Sequence, residues 1–172
     1  MILRGSFTQD HPIKGMQTPM HSEGHFVVAP GFGIIWAIEK PMAMDIVVTK
    51  NGAIQTIGGV PILNFPASKN PFLGKAAPLL CAALGGNLAP LEPDFAIARA
   101  GKPEAWRIIF TPRQAQGAPF QSLVAEGGRF VTAATAARAD GLSDVFRFAD
   151  QAVVKELPTP AETALFKAVP MH

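Results

Sequence analysis

Ser22-Glu-Gly-His-Phe-Val-Val-Ala29, Pro30-Gly31, Phe32-Gly-Ile-Ile-Trp-Ala-Ile-Glu39, Lys40-Pro41, Met44-Asp-Ile-Val-Val-Thr-Lys50, Asn51-Gly52 and Ala53-Ile-Gln-Thr56 form the stretch that decides the fold. It reads as a meander of short β-strands punctuated by turn residues. Asn-Gly between two β-rich runs is a strong hairpin signal, because both central residues of a type I′ turn need positive φ. The strand over 32–39 carries the most information. Period-two alternation puts Phe32, Ile34, Trp36 and Ile38 on one face and Ile35 and Ala37 on the other, so neither side is plainly wet. A meander strand that is apolar on both faces must be covered twice, by a core, a lid or a greasy ligand. That pattern favours a lipid-holding β-protein over an enzyme.

Composition agrees. Hydrophobic residues make up 48% of the 172 residues and charged residues 16%, against about a quarter in an ordinary globular chain. The length suits one domain with a sizeable core, spanning 1–172. Twelve Phe and six Met with no Tyr make the apolar content oily, without hydroxyl handles. A net charge of +2 and the absence of a basic run argue against a nucleic-acid partner. Arg99, Lys102, Arg107 and Arg113 read as the solvated edge of one hairpin. The single Cys81 excludes an internal disulfide, and its setting in Leu79-Leu-Cys-Ala-Ala-Leu84 reads as a buried, inert thiol. The uncharged run 76–91 is broken by Pro78, Gly85, Gly86 and Pro90 and does not form one spanning helix. Met1-Ile2-Leu3-Arg4 leads straight into polar residues without the form of a secretory leader, so the chain reads as soluble as given, with a leader expected to have been removed or truncated.

Outward from the meander, Ile2 to Gln9 alternates as a first strand, and Asp10 to His21 reads as a loop with Met16 and Met20 exposed. Gly58-Gly59 ends the fifth strand. Residues 61–69 read as irregular, since Pro61 and Pro66 exclude a central strand. Asn70-Pro71 has the form of a helix start, and Phe72, Leu73, Leu79, Leu80, Ala83 and Leu84 follow at helical spacing up to Gly85-Gly86. Pro78 divides that run into two short helices. Period two then returns over 94–99, 105–111, 119–126, 129–135 and 144–150, with Gly127-Gly128 as a further hairpin signal and 152–157 continuing or pairing with the last strand. Thr159-Pro-Ala-Glu162 has the capping-box form, predicting a last helical turn through Phe166. The expected fold is mainly β with short helices: an unclosed antiparallel β-barrel, strongly curved, with a helical lid over its concave face.

Catalytic constellations are scarce. There is no Gly-x-Ser-x-Gly turn, phosphate-binding loop or dinucleotide motif, and Gly31-Phe-Gly33 is a turn into a strand. His21 and His25 are roughly 13 Å apart along an extended strand, too far for one metal to bridge. Neither a metal nor a cofactor is expected. The rival from another class is a metal-dependent hydrolase built on His11, His21 and His25.

Gly5-Ser-Phe-Thr-Gln9, Gly24-His-Phe26, Gly33-Ile-Ile-Trp36, Glu39-Lys-Pro41 and Ile46-Val-Val-Thr49 before Asn51-Gly52 resemble, in order and spacing, the LolA family of periplasmic outer-membrane lipoprotein carriers. The match runs through about residue 57, and the helical insertion and later hairpins fit more loosely. The resemblance implies a periplasmic, non-catalytic protein whose concave face binds the acyl chains of a lipoprotein. It implies an inner-membrane release complex and an outer-membrane acceptor as further partners. In the family an Arg-Pro occupies the turn between the second and third strands and helps latch the lid; here the position reads Pro30-Gly31. The family's N-terminal helix precedes the Phe-Thr-Gln strand, and the given sequence starts at that strand, as a truncated or misplaced start would explain. A divergent carrier of another exported lipid or glycolipid is the alternative. Under this reading Phe7, Phe26, Val28, Ile34, Trp36, Ile46, Val48 and Phe110 line the cavity, and Phe72, Leu73, Leu79, Leu80 and Leu84 form the lid. Met42 and Met44 suit a wall that must repack, and a monomer is the expected state.

Overall fold

The computed structural model describes residues 1–66, 68, 88–114, 116, 118 and 120–171. They form one antiparallel sheet of eleven strands: β1 (Ile2–His11), β2 (Met20–Ala29), β3 (Gly33–Lys40), β4 (Met44–Thr49), β5 (Gly52–Ile57), β6 (Val60–Pro66), β7 (Phe95–Lys102), β8 (Ala105–Pro112), β9 (Ser122–Gly127), β10 (Val131–Ala137) and β11 (Ser143–Val154). A 3₁₀ turn, Ala89–Leu91, precedes β7, and one helix, α1 (Pro160–Ala168), follows β11. The strand order is β6-β5-β4-β3-β2-β1-β11-β10-β9-β8-β7. Two meanders are thus joined at the centre by β1 and β11, where Phe7 lies opposite Phe148. The ends of the sheet do not meet. The expected unclosed, mainly β architecture is the one observed. The residues expected to form the helical lid, Phe72, Leu73, Leu79, Leu80 and Leu84, lie outside the described residues, as does Cys81.

Several turns differ from expectation. Thr49 pairs with Gly52, so the loop between β4 and β5 is Lys50-Asn51, and the Asn51 amide donates to Thr49 Oγ1 at 3.1 Å. Asn51 does not take positive φ there. The two-residue turn with two left-handed residues is Gly58-Gly59, φ 60° and 80°, between Ile57 and Val60. It feeds β6, which the sequence reading left irregular. Pro61 and Pro66 are tolerated because β6 is an edge strand, where a missing N–H faces outward. β2 begins at Met20, inside the expected loop, and β11 runs unbroken to Val154.

Cross-strand pairs share a face of the sheet, which sorts the apolar residues into two layers. One row is Leu3, Val28, Ile34, Val48, Ala53 and Phe65; the next is Gly5, Phe26, Trp36, Ile46, Gln55 and Leu63. Trp36 and the phenylalanines of β11 stand three strands apart, about 14 Å on a flat sheet. Their ring centroids nevertheless approach to 6.0 Å for Phe146 and 6.1 Å for Phe148. The sheet therefore curls toward this face, which is the concave one. Phe7 stacks on Trp36 with centroids 3.7 Å apart, and Phe148 meets Phe26 edge-on at 5.7 Å. On the β7–β10 side the same face packs Phe95, Phe110, Ala125 and Val131 under Leu88 and Leu91 from the 3₁₀ turn.

The convex face is covered by α1. Ile2, Ala29, Ile35, Val47 and Ile54 are buried against Phe166 and Val169 of the C-terminal segment. Thr159 caps the helix, accepting from the Glu162 amide while the Glu162 carboxylate accepts from the Thr159 amide, so the capping box is formed as its sequence predicts. Phe32 is corrected here. It sits in the turn before β3 and lies 5.9 Å from Phe166, away from the concave face that Ile34, Trp36 and Ile38 share. The Ala29-Pro30-Gly31-Phe32 turn, with Phe32 N donating to Ala29 O at 2.9 Å and Gly31 at φ 86°, is what rotates it.

Candidate functional site: the concave face

All eight expected wall residues lie on the concave face. Phe7, Phe26, Val28 and Ile34 are fully buried in one cluster, and Phe110 is buried in the neighbouring one. Trp36, Ile46 and Val48 are only partly covered. Beside them β6 presents Leu63, 49% exposed, and Phe65, 41% exposed. Together with Ile38 these side chains make a half-exposed apolar strip across β3, β4 and β6. On β5 the strip is crossed by Gln55, whose Nε2 contacts Met44 Sδ at 2.6 Å. Leu63 and Phe65 were missed because two prolines hid β6. Phe146 and Phe148 were missed for another reason: their alternation was visible, but not the face it would join.

The face has an opening at its centre. Beyond Ala133 and Arg147 the β10–β11 ladder ends, and among the described residues β11 continues against β1 alone. A cavity of about 720 Å³ lies there and reaches both faces: Trp106 and Phe148 line it from the concave side, while Arg107 and Glu126 share the row of Arg147 on the convex side. Trp106 Nε1 donates to Gly128 O at 2.7 Å, and the Arg129 guanidinium lies 5.2 Å from the Phe130 ring centroid. A second depression of about 420 Å³ includes Ser6, Thr8, His25, Glu39 and Arg147 of the convex face. Among the eight wall residues Phe7 lines this second depression.

His11, His21 and His25 do not converge. His11 Nδ1 meets Asp144 at 2.5 Å beside Arg138, His21 Nδ1 meets Asp10 at 2.7 Å, and His25 pairs with Glu39. Each ring thus has its own carboxylate. Among the described residues no three His, Cys, Asp or Glu side chains come together as a metal site. The hydrogen bond to Asp10 raises the His21 pKa, and burial raises that of Asp45. Neither lies on the concave face. Ser6, although paired with His25 across the ladder, turns its hydroxyl to Asp150 at 2.9 Å and to the Ala149 carbonyl, which leaves no serine–histidine relay.

No protein-family model matches the chain, and no curated protein matches it in sequence. Solved structures similar to it include a LolA superfamily protein from Nitrosomonas europaea, at 8% identity and TM-score 0.44, covering 91% of this chain and 87% of that one. Another is the domain of an outer membrane lipoprotein-sorting protein from Vibrio parahaemolyticus, at 8% identity and TM-score 0.46, covering 96% and 91%. The Pseudomonas aeruginosa MucA/MucB complex is similar at 12% identity and TM-score 0.51, covering 94% of this chain and 54% of that one. This chain spans about half the length of that one. Its likeness is one of fold. Among the described residues no helix is long and apolar enough to cross a membrane.

Proposed function

We propose that the protein is a non-enzymatic periplasmic carrier that shelters the acyl chains of a lipoprotein against its concave sheet face. One observation carries the reading: the half-exposed strip of Trp36, Ile38, Ile46, Val48, Leu63 and Phe65 runs in register over β3, β4 and β6, joined through Ala53 on β5 and crossed there by Gln55. Apolar surface of that continuity on a concave face is the feature a lipid-binding site needs. The resemblance of residues 5–57 to lipoprotein carriers supports the same reading and supplies the cargo class, the release complex and the acceptor. Each buried methylene contributes about 0.8 kcal/mol, so one long chain gains several kcal/mol before the cost of association is subtracted. No directional bond is required, which suits a carrier that must also release. Phe7, Phe26, Val28, Ile34 and Phe110 set the shape beneath, while Trp36, Ile46 and Val48 make the contact.

The test is uptake of a fluorescent acyl probe and of a triacylated lipoprotein by the monomer, in wild type and in Leu63→Glu. Near-stoichiometric uptake by wild type and a large loss in the variant are expected, since Leu63 is half exposed and its replacement leaves the buried clusters intact. No uptake of either ligand by the folded protein removes the proposal. Extraction and mass spectrometry of lipid bound to the isolated protein distinguishes a lipoprotein carrier from a carrier of another exported lipid or glycolipid.

A further inference from the structure

The gap between β10 and β11 is built in an unusual way. The ladder stops at Ala133–Arg147, although β11 runs on to Val154. Adjacent strands lie about 4.8 Å apart. Here the Val131 carbonyl is reached instead by a side chain: Gln151 Nε2 donates to it at 2.6 Å. A side chain makes the contact where backbone ladder bonds would otherwise stand, and among the described residues no ladder pair joins β10 to β11 beyond Ala133–Arg147. The donation to a carbonyl also fixes which end of the amide is nitrogen. The other end, Oε1, is buried and has no partner among the described residues.

Two further departures fall at the same place. Asp150 takes φ 53°, a left-handed conformation that is uncommon outside glycine. It lies in the bulge where Arg4 pairs with Ala152 but Ser6 with Ala149. The cavity of about 720 Å³ occupies the gap itself, with Trp106, Phe130 and Phe148 on its walls. Its rim carries both signs, Arg107 and Arg129 beside Glu104, Glu126 and Asp150, so it offers no strong preference for side-chain charge.

We propose that this gap accepts an extended polypeptide as an added strand, and that the Gln151 amide occupies the position the strand's own peptide group takes. The incoming N–H bonds to the Val131 carbonyl, and the edge of β11 beyond Arg147 supplies the second ladder. Addition of a strand to an open edge is recognition through the backbone, which matches a rim of mixed charge. The inference rests on the carrier reading: the occupant is the polypeptide segment that follows the acylated residue of the cargo. The position fits, because Phe148 lines the gap and also packs against both concave clusters, so the gap adjoins the face that holds the anchor.

The experiment compares two synthetic lipopeptides with the same acyl chain and the same peptide of about ten residues. In one, alternate backbone nitrogens are methylated and cannot donate to a ladder. The unmodified lipopeptide is expected to bind at least about tenfold more tightly, from two or more ladder bonds. It is also expected to slow amide hydrogen exchange at 148–154. Gln151→Ala, which removes the competing amide, is expected to tighten binding of the unmodified form only. Equal affinities for the two lipopeptides, or no new protection at 148–154, overturn the strand-addition proposal while leaving the carrier reading intact. Failure of both lipopeptides and of a plain acyl probe to bind overturns the carrier reading, and this proposal with it.

Discussion

Glu162 makes two separate sets of bonds, one that ties α1 to the sheet and one that caps the helix, and substitution separates them. Its carboxylate takes both terminal nitrogens of Arg4 on β1, one of them at 3.0 Å, and accepts from the Thr159 amide at 2.9 Å. The Glu162 side chain is 15% exposed and that of Arg4 31%. This places the pair between a surface ion pair, worth about 0–1 kcal/mol, and a buried one, whose disruption costs about 3–5 kcal/mol. A bidentate geometry argues for about 1–1.5 kcal/mol of coupling, and the capping contact for about 1 kcal/mol more. Arg4→Ala is therefore expected to lose about 1–1.5 kcal/mol and Glu162→Ala about 2–2.5 kcal/mol, with the double variant no worse than Glu162→Ala by more than a few tenths.

The same pair sets a pH dependence. The hydrogen bond from Arg4 is the main cause that lowers the Glu162 pKa below its ordinary 4.5. A carboxylate with a lowered folded pKa contributes stability that is fully present above its unfolded value and is lost as the pH falls through the folded value. Wild type should therefore lose this contribution below about pH 4.5, and Arg4→Ala should lose less over the same range. Urea unfolding at pH 7 and pH 4 for the four proteins of the cycle measures both effects. Additive losses in the double variant, or an Arg4→Ala protein with the full acid sensitivity of wild type, refute the assignment.

Two further outcomes are expected. Gly24→Ala should lower the melting temperature sharply, because a Cβ at residue 24 would stand 1.9 Å from the Ala37 carbonyl oxygen, and backbone must move to admit it; a loss below about 1 kcal/mol contradicts this packing. The His21 imidazole should titrate above 6.5 by NMR, chiefly through its bond to Asp10, and fall back in Asp10→Asn. Its contribution to stability is then present below the unfolded pKa and fades as the pH rises through the raised one, and an unshifted His21 titration in wild type contradicts it.

Local signals were legible where the residues that make an element also decide it. The Thr159–Glu162 capping box formed as written, and the Phe32–Glu39 run became β3 almost residue for residue. Turn type was less legible, since Asn51-Gly52 and Gly58-Gly59 carry similar signals and register with β5 assigns the left-handed pair to the second. Long-range pairing was not legible at all. Nothing in Ser6-Phe7-Thr8 names Arg147-Phe148-Ala149 as its partner, yet that pairing joins the two meanders and brings Phe148 to Phe26. The same limit hid the gap beside Gln151, which exists because β11 outruns β10. Periodicity put Ile34, Trp36 and Ile38 on one face, but only the approach of Trp36 to β11 makes that face concave.

The two faces of β3 are covered in different ways, and the difference argues for which one takes a ligand. On the convex side Ile35 is 4% exposed and Val47 0%, under a helix that is capped at its start and tied to β1 by Arg4. On the concave side the strands' apolar residues grade from fully buried at Phe26 and Ile34 to half exposed at Leu63 and Phe65. A ligand on the convex side would have to displace α1 and lose the cap, the ion pair and the burial of Phe166, several kcal/mol in all. On the concave side it displaces none of these and gains the burial of Leu63, Phe65 and the exposed parts of Trp36 and Ile46. On the carrier reading proposed above, the helix behind the sheet holds β3 and β4 in place while the front is filled and cleared, so that cargo exchanges without refolding.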